Sequence, residues 1–596
     1  MATNILEEGI IPRDSTLQGI LSVQKSNLGV QRGLLLASGT PDAIILSGDA
    51  TLIDKYYKGL VAAATDVATV NELFAKWWHI NWGVTVGTDN AARQDLLKRW
   101  FGTVLDDERV HGVKFPLYST SHLTTGELTD DSVGLTCVPS TEATANQDSF
   151  AHLAQFWCVE VSMERNEDGT HEIFAVEFID DYDAVRSGEH LWQVLQKNTY
   201  VKRWNQDGYQ YVKMRCHEAK GYHTWPQGTG GDGVVYPYMA NPADYAGEDA
   251  NGKITCGTDM APVNYTSHNS GVAKWRNRGS QYAGAPGSLL VFQLTMIRLK
   301  YAVKGNSGTI EGCTSYNYQY TAAVSETGVE RILLTTDQAS HLLEGSNTIV
   351  GTKGTDDSHD RGVASMYSIC KNKRIKSIES VTVDGTVYSA VNIDNGGVTF
   401  DTVAGETYLS TMPYWSGWNN NVQGYDGSRI SPTSGKEPGR IQKTNFQNGS
   451  YLIVADELWQ WGQDTDGNYT FDCYTCHDQS KVTTNGTISS DYTKCDDLTM
   501  TFPSDTAEGW KYIEDNAVPD DPAVLWPGKV STEAGSGTGV KAAMYVQPHT
   551  SGVRAAWCVG HLYSSGGAGL PARISIRGTG SSNWDGSLGV PSGISG

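Results

Sequence analysis

The densest grouping of metal-ligating side chains is Cys473-Tyr-Thr-Cys476-His477, with a further thiol at Cys495. The CxxCH spacing is that of covalent haem attachment, in which two thiols add to vinyl groups and the adjacent His ligates iron. The same residues with Cys495 offer the donor types of tetrahedral zinc. The single later cysteine breaks the paired-knuckle spacing, and ordinary cysteines in a β-hairpin fit equally. The hairpin is the preferred reading, with no metal and no cofactor expected. Asp464-Thr-Asp466-Gly467-Asn468 begins like a calcium loop, yet its twelfth position is Thr475 instead of the bidentate Glu of an EF-hand. A polar turn is expected there.

Other letter matches fail on context. Gly228-Thr-Gly230-Gly-Asp-Gly233 fits GxGxxG, but TWPQ precedes it and VVYPYM follows, where a strand and a helix are required. Asp180, Asp181 and Asp183 cluster carboxylates at a point that reads as a solvated turn before a helix, where acids are favourable. The chain has no GxSxG, HExxH or GxxxxGK[ST]. No catalytic constellation emerges, and the chain is not read as an enzyme.

The last fifty residues carry a different kind of chemistry. Trp557 and Trp584 and a ladder of glycines frame a mixed polar set: His561, Tyr563, Ser564, Arg573, Ser575, Arg577, Ser582, Asn583 and Asp585. Glycine permits positive φ and close backbone approach, and buried Trp fixes a frame. Tyr, Arg, His, Asn and Ser supply stacking and hydrogen bonds at low ordering cost, the palette of a paratope. These nine residues are therefore the candidate ligand contacts, and the two tryptophans are assigned to the frame.

Bulk properties bound the partners. The formal charge of −22 argues against nucleic acid or an anionic membrane surface as partner of the whole chain. The stretch from Lys541 onward runs the other way, with Lys541, Arg554, Arg573 and Arg577 against Asp585. Ten cysteines scattered over 596 residues do not make a disulfide scaffold. No apolar run reaches membrane-spanning length, so no insertion is expected. The N-terminal MATNILEEGIIPRDST lacks a basic region followed by an apolar stretch, and folding in a cytoplasm is the expectation.

The elements that must position these residues are mostly β. Segments 52–64 and 69–80 carry apolar residues at helical spacing, and Thr88 can cap a helix over DNAARQDLLKRWF. FWCVEVSM and HEIFAVEFI alternate around an NEDG turn. A short helix is expected over 184–197, and residues 205–285 read as loop-rich. LLVFQLTMIRLKYAV, RILLTTD, SIESVTVDGTVYSAVNI and GVTFDTV read as strands, with a tight hairpin at VDGTVY. Residues 401–596 hold eight of the 17 tryptophans and few helical patterns. The expectation is an α+β, mostly β, multi-domain chain. It has a partly helical N-terminal docking and oligomerisation region (1–200), a loop-rich irregular β region (201–287), a β-rich spacer (288–400) and a C-terminal recognition domain (401–596).

The C-terminal third resembles the variable proteins of diversity-generating retroelements, in particular phage receptor-binding proteins of the major tropism determinant type. The residues that carry it are Val553-Arg554-Ala555-Ala556-Trp557, Gly566-Gly567-Ala568-Gly569-Leu570 and Asn583-Trp584-Asp585-Gly586, with a glycine-rich end. Tyr408-Leu-Ser-Thr-Met-Pro-Tyr-Trp415 and the Asp426 and Lys436-Glu437-Pro438 segments add to it. The resemblance implies a C-type-lectin-like domain over 401–596, a homotrimer, and a place on a virion, at the tail tip or in a fibre. It implies assembly with other virion proteins in a host cytoplasm, and recognition of a bacterial surface protein or glycan.

That family diversifies by mutagenesis of adenines, mostly in AAY codons, which cannot yield Lys, Glu, Gln or Met. The chain holds 82 of these residues. Residues 548–596 would carry about seven at average usage, and carry none. A structural virion decoration or baseplate protein, a polysaccharide depolymerase and an enzyme of the formylglycine-generating type are the alternatives. The last needs a reactive thiol, and Cys558 has no partner visible in sequence.

Overall fold

The computed structural model describes residues 44–45, 47–82, 90–139, 147–354, 364–412, 435–531 and 538–595. The chain is mostly β, 34% strand and 20% helix, and divides into two compact units, Met1–Leu105 and Asp106–Gly596. The expected boundaries after residues 200, 287 and 400 all fall inside the second unit. Thr88, Trp415, Trp418 and Asp426 lie outside the described residues. Among the described residues no helix is long and apolar enough to cross a membrane.

The first unit is helical. Asp49 caps Ala50–Ala63 by accepting from the backbone N–H groups of Thr51 and Leu52. Val67–Trp82 and Asn90–Arg99 follow, and a π turn Trp100–Val104 closes the unit. Their apolar stripes meet in a core of Phe74, Trp77, Trp78, Leu96, Leu97 and Trp100. A buried carboxylate is paired in it: half-buried Arg99 donates to both oxygens of Asp54, and Trp77 Nε1 donates to Oδ1 at 2.8 Å. These bonds are what make a buried carboxylate tolerable.

In the second unit the alternating segments form the expected hairpins. Cys158–Arg165 pairs antiparallel with His171–Val176. Cys370–Val383 pairs with Thr386–Ile393 around Asp384 and Gly385, whose φ angles of 50° and 78° suit a tight hairpin turn. A six-stranded sheet spans residues 319–410. A ten-stranded sheet takes the strands from Tyr451 to Leu588, with Tyr451–Gln463 between Tyr469–Thr475 and Gly552–Cys558.

Two expectations are corrected. The run LLVFQLTMIRLKYAV is no strand but the helix Gly287–Tyr301, buried on all sides and packed against the strands Val110–Pro116, Tyr209–Arg215 and Tyr451–Gln463. A segment buried all round, with Gln293, Arg298 and Lys300 among its buried residues, shows no clear period of either kind, so its length was the better guide. Within 184–197 only Tyr182–Arg186 is helical; Leu191–Lys197 is a fully buried strand. The loop-rich region 205–285 also holds part of the hairpin Tyr200–Gln206/Tyr209–Arg215, the strand Tyr238–Pro242 and the helix His268–Arg278.

The C-terminal end is structural. Gly586–Leu588 runs parallel to Tyr451–Ile453. Beyond it Ser592 Oγ donates to the carbonyl of Ala240 at 2.8 Å, and the N–H of Gly593 donates to Gln193 Oε1 at 3.1 Å. These terminal residues are buried.

Candidate functional site

Strand Gly552–Cys558 places Trp557 opposite Ile453 and Ile574, fully buried. The chain then reverses through Val559 and Gly560, whose φ angles are 79° and 128°. The turn that follows is closed by its own side chains. The N–H of His561 donates to Ser564 Oγ at 3.0 Å, and the N–H of Tyr563 donates to His561 Nδ1 at 3.0 Å. The second bond fixes the neutral imidazole with its proton on Nε2. The His561 ring lies 5.2 Å from Trp584 and 4.9 Å edge-on from Tyr451. Trp584 is buried in the core of the six-stranded sheet together with Leu562. Both tryptophans therefore serve as frame.

The nine expected contact residues divide. Tyr563 is 39% exposed and Ser582 is exposed, while His561, Ser564, Arg577 and Asn583 are half-buried. These border solvent on one stretch of chain. Arg573, Ser575 and Asp585 are buried, and their assignment as ligand contacts is corrected. Arg573 donates to the carbonyls of Leu570 at 3.0 Å and Ala572 at 2.9 Å, and to that of Leu525. Ser575 Oγ donates to the carbonyl of Tyr545 at 2.8 Å and accepts from the N–H of Gln547 at 3.2 Å. Asp585 accepts from Arg577 Nη2 at 3.2 Å. Each closes a polar gap that burial would otherwise leave unsatisfied.

Sequence reasoning did not single out Trp510. It sits on strand Gly509–Asn516 directly opposite Tyr545, 39% exposed, its ring 5.2 Å from the Tyr545 ring. A Cβ added to Gly567 would lie 3.7 Å from the indole, so the glycine-rich turn Ser565–Gly567 passes beside it. The period-two spacing of Glu508, Trp510 and Tyr512 was the available signal.

The CxxCH residues do not converge. Cys473 and Cys495 lie in the main core, the Cys495 N–H donating to the Cys473 carbonyl at 2.9 Å. Cys476 belongs to another cluster and points to the carbonyl of Asp478. His477 Nε2 bonds Asp521 at 2.8 Å. Among the described residues no group of three or more His, Cys, Asp or Glu side chains is placed to hold a metal ion. Asp464 spends its carboxylate on the N–H groups of Asp466 and Asn468 and on the Asn468 amide, a hairpin turn. Gly228–Gly233 is likewise a turn, closed by the pairing of Thr229 with Val235. Burial pushes the Cys558 thiol up to about 12, which disfavours the thiolate a nucleophile requires.

No protein-family model matches the chain, and no curated protein matches it. Among the described residues this surface offers a closed aromatic frame, a polar row at its edge and an exposed Trp–Tyr pair alongside. That arrangement suits recognition.

Proposed function

We propose that the chain is a phage receptor-binding protein, carried on the virion at a tail tip or fibre. It recognises a bacterial surface protein or glycan through the segment 561–583. The observation that carries this reading is the absence of Lys, Glu, Gln and Met from residues 548–596, in a segment whose exposed positions are set on a buried frame. Loops on a rigid scaffold tolerate exchange of outward side chains while the fold persists. Tyr563, Ser582 and Asn583 are such positions.

The domain over 401–596 is read as C-type-lectin-like. A homotrimer would multiply weak single contacts by avidity. The remainder of the chain serves as attachment to other virion proteins and as spacer, assembled in the host cytoplasm.

The test is adsorption of particles carrying alanine at Tyr563, Ser582 and Asn583 together. Loss of binding to host cells, with particle assembly and thermal stability retained, supports the reading. Unchanged adsorption and host range overturn it. Light scattering of the purified chain checks the trimer.

A further inference from the structure

The exposed face beside the turn Ser565–Gly567 carries a row that the composition argument does not touch. Trp510 and Tyr545 are cross-strand neighbours, and Glu508 and Gln547 extend the same face. Tyr545 Oη donates to Glu508 Oε1 at 2.7 Å, and Gln547 Nε2 donates to Oε2 at 2.9 Å. His549 Nε2 donates to Gln547 Oε1 at 3.1 Å, which leaves Nδ1 as an acceptor. The Glu508 carboxylate thus orients a Tyr and a Gln while keeping lone pairs of its own. Hydrogen bonds to an ionised acceptor are the stronger ones.

The row is held in place from below. Buried Ser575 bonds the backbone of both Tyr545 and Gln547. Gly567 keeps the flank of the indole low, because any larger residue there would rise beside the ring. A preorganised site loses less entropy on binding than a floppy one. An exposed indole held this way, next to fixed acceptors and an amide, has the two features a sugar ring needs. Its C–H face packs on an aromatic surface, and its hydroxyls both donate and accept.

From this juxtaposition we infer that Trp510, Tyr545, Glu508, Gln547 and His549 form a binding site for a neutral saccharide, a pyranose stacked on the Trp510 indole with its hydroxyls bonded to Glu508 and Gln547. Charge selects the neutral class. The recognising carboxylate repels an acidic sugar, and the whole chain carries a formal charge of −22. The inference names a ligand class for the surface proposed above and rests on that reading for its biological setting.

The test is saturation-transfer NMR and fluorescence titration of the full chain with neutral oligosaccharides of glucose, galactose, mannose and N-acetylglucosamine. Polysialic acid is the acidic comparator. Saturable binding of a neutral probe is expected, weakened about tenfold or more by Trp510→Ala. Trp510→Phe should lose less, and Glu508→Gln should weaken it severalfold with melting temperature unchanged. No saturable neutral probe, binding of the acidic probe alone, or binding indifferent to Trp510→Ala overturns the inference. Particles that adsorb through Tyr563 and Asn583 but ignore Trp510→Ala defeat the saccharide site and leave the receptor reading standing. Particles indifferent to both sets of changes, with saccharide still bound through Trp510, defeat the receptor reading alone.

Discussion

The guanidinium of Arg577 lies 5.3 Å from the centre of the Trp557 indole while its Nη2 bonds Asp585. One residue of the proposed recognition segment is thereby tied to the frame. A cation over an indole face contributes roughly 0.5–1 kcal/mol when partly exposed. Asp585 is nearly buried, and losing its partner strands a carboxylate. Arg577→Ala should therefore destabilise the fold by about 2–3 kcal/mol. Arg577→Lys should recover part of it, since the ammonium keeps the charge but not the planar fork. Urea denaturation of the two variants checks this, and wild-type stability in Arg577→Ala would show that the contact is incidental.

Gly586 and Gly580 make a paired test of the frame. A Cβ on Gly586 would lie 2.4 Å from the Trp557 ring, whereas one on Gly580 would meet nothing within 4 Å. Overpacking a fixed core costs about 1–3 kcal/mol. Gly586→Ala should lower the melting temperature, and Gly580→Ala should leave it near wild type. Equal melting temperatures for the two variants would mean that Trp557 yields.

Glu457 is fully buried beside Trp459, whose Nε1 donates to Oε1 at 2.5 Å. Burial pushes its carboxyl up to about 7, with Arg573 opposing the shift. A carboxyl raised above its unfolded value near 4.5 costs stability as pH rises through 4.5, and the full cost is reached above 7. Glu457→Gln keeps the acceptor for Trp459 and removes the ionisation. It should gain stability over wild type at pH 8, by up to about 3 kcal/mol, and gain little at pH 4. Denaturation midpoints at the two pH values decide it; a gain independent of pH contradicts the burial argument.

Legibility in sequence followed the physics of each segment. A strand with one wet face was readable where alternation survives, as in His171–Val176. Leu191–Lys197 and Gly287–Tyr301 are buried on every side, so no periodicity marks them. In the tail, type alone separated frame from surface for Trp557, Trp584 and Tyr563. It could not do so for Arg573 and Ser575, because their partners at Leu525 and Tyr545 are remote in sequence. The Trp510–Tyr545 pair was not legible for the same reason, since the two residues meet only through strand pairing.

His477 supplies a pH signature. It sits between Asp521 and Asp456, at 2.8 Å and 3.9 Å, and the two carboxylates raise its pKa to about 10 against the opposing effect of burial. A His with a raised folded pKa contributes stability that is complete below about 6.5 and lost as pH rises through about 10. The Asp521 carboxyl is lowered in turn by His477, so its share is lost only in acid. The His477 side chain is 45% exposed, and solvent screening limits the pair to about 1 kcal/mol. Wild type should therefore lose a small increment of stability between pH 7 and 10.5 that His477→Ala lacks. Parallel denaturation curves for the two proteins across that range would contradict the assignment.

The division of the tail into replaceable and fixed positions is the sharpest consequence of its geometry. Tyr563 and Ser582 face solvent, and the Asn583 side chain accepts from the N–H of the next residue. Substituting them removes little packing, and surface changes of this kind fall within about 0.5 kcal/mol. Arg573 is 1% exposed and bonds three carbonyls, so Arg573→Ala leaves acceptors unsatisfied in the core. That change should cost about 3 kcal/mol or more. Ser575→Ala should cost about 1–2 kcal/mol, because the carbonyl of Tyr545 and the N–H of Gln547 both lose a partner. A combined Tyr563, Ser582 and Asn583 variant should thus melt with wild type while changing what the particle adsorbs to, and Arg573→Ala should fail as a fold. The opposite ranking in a thermal melt would show that the surface set is the one holding the segment together.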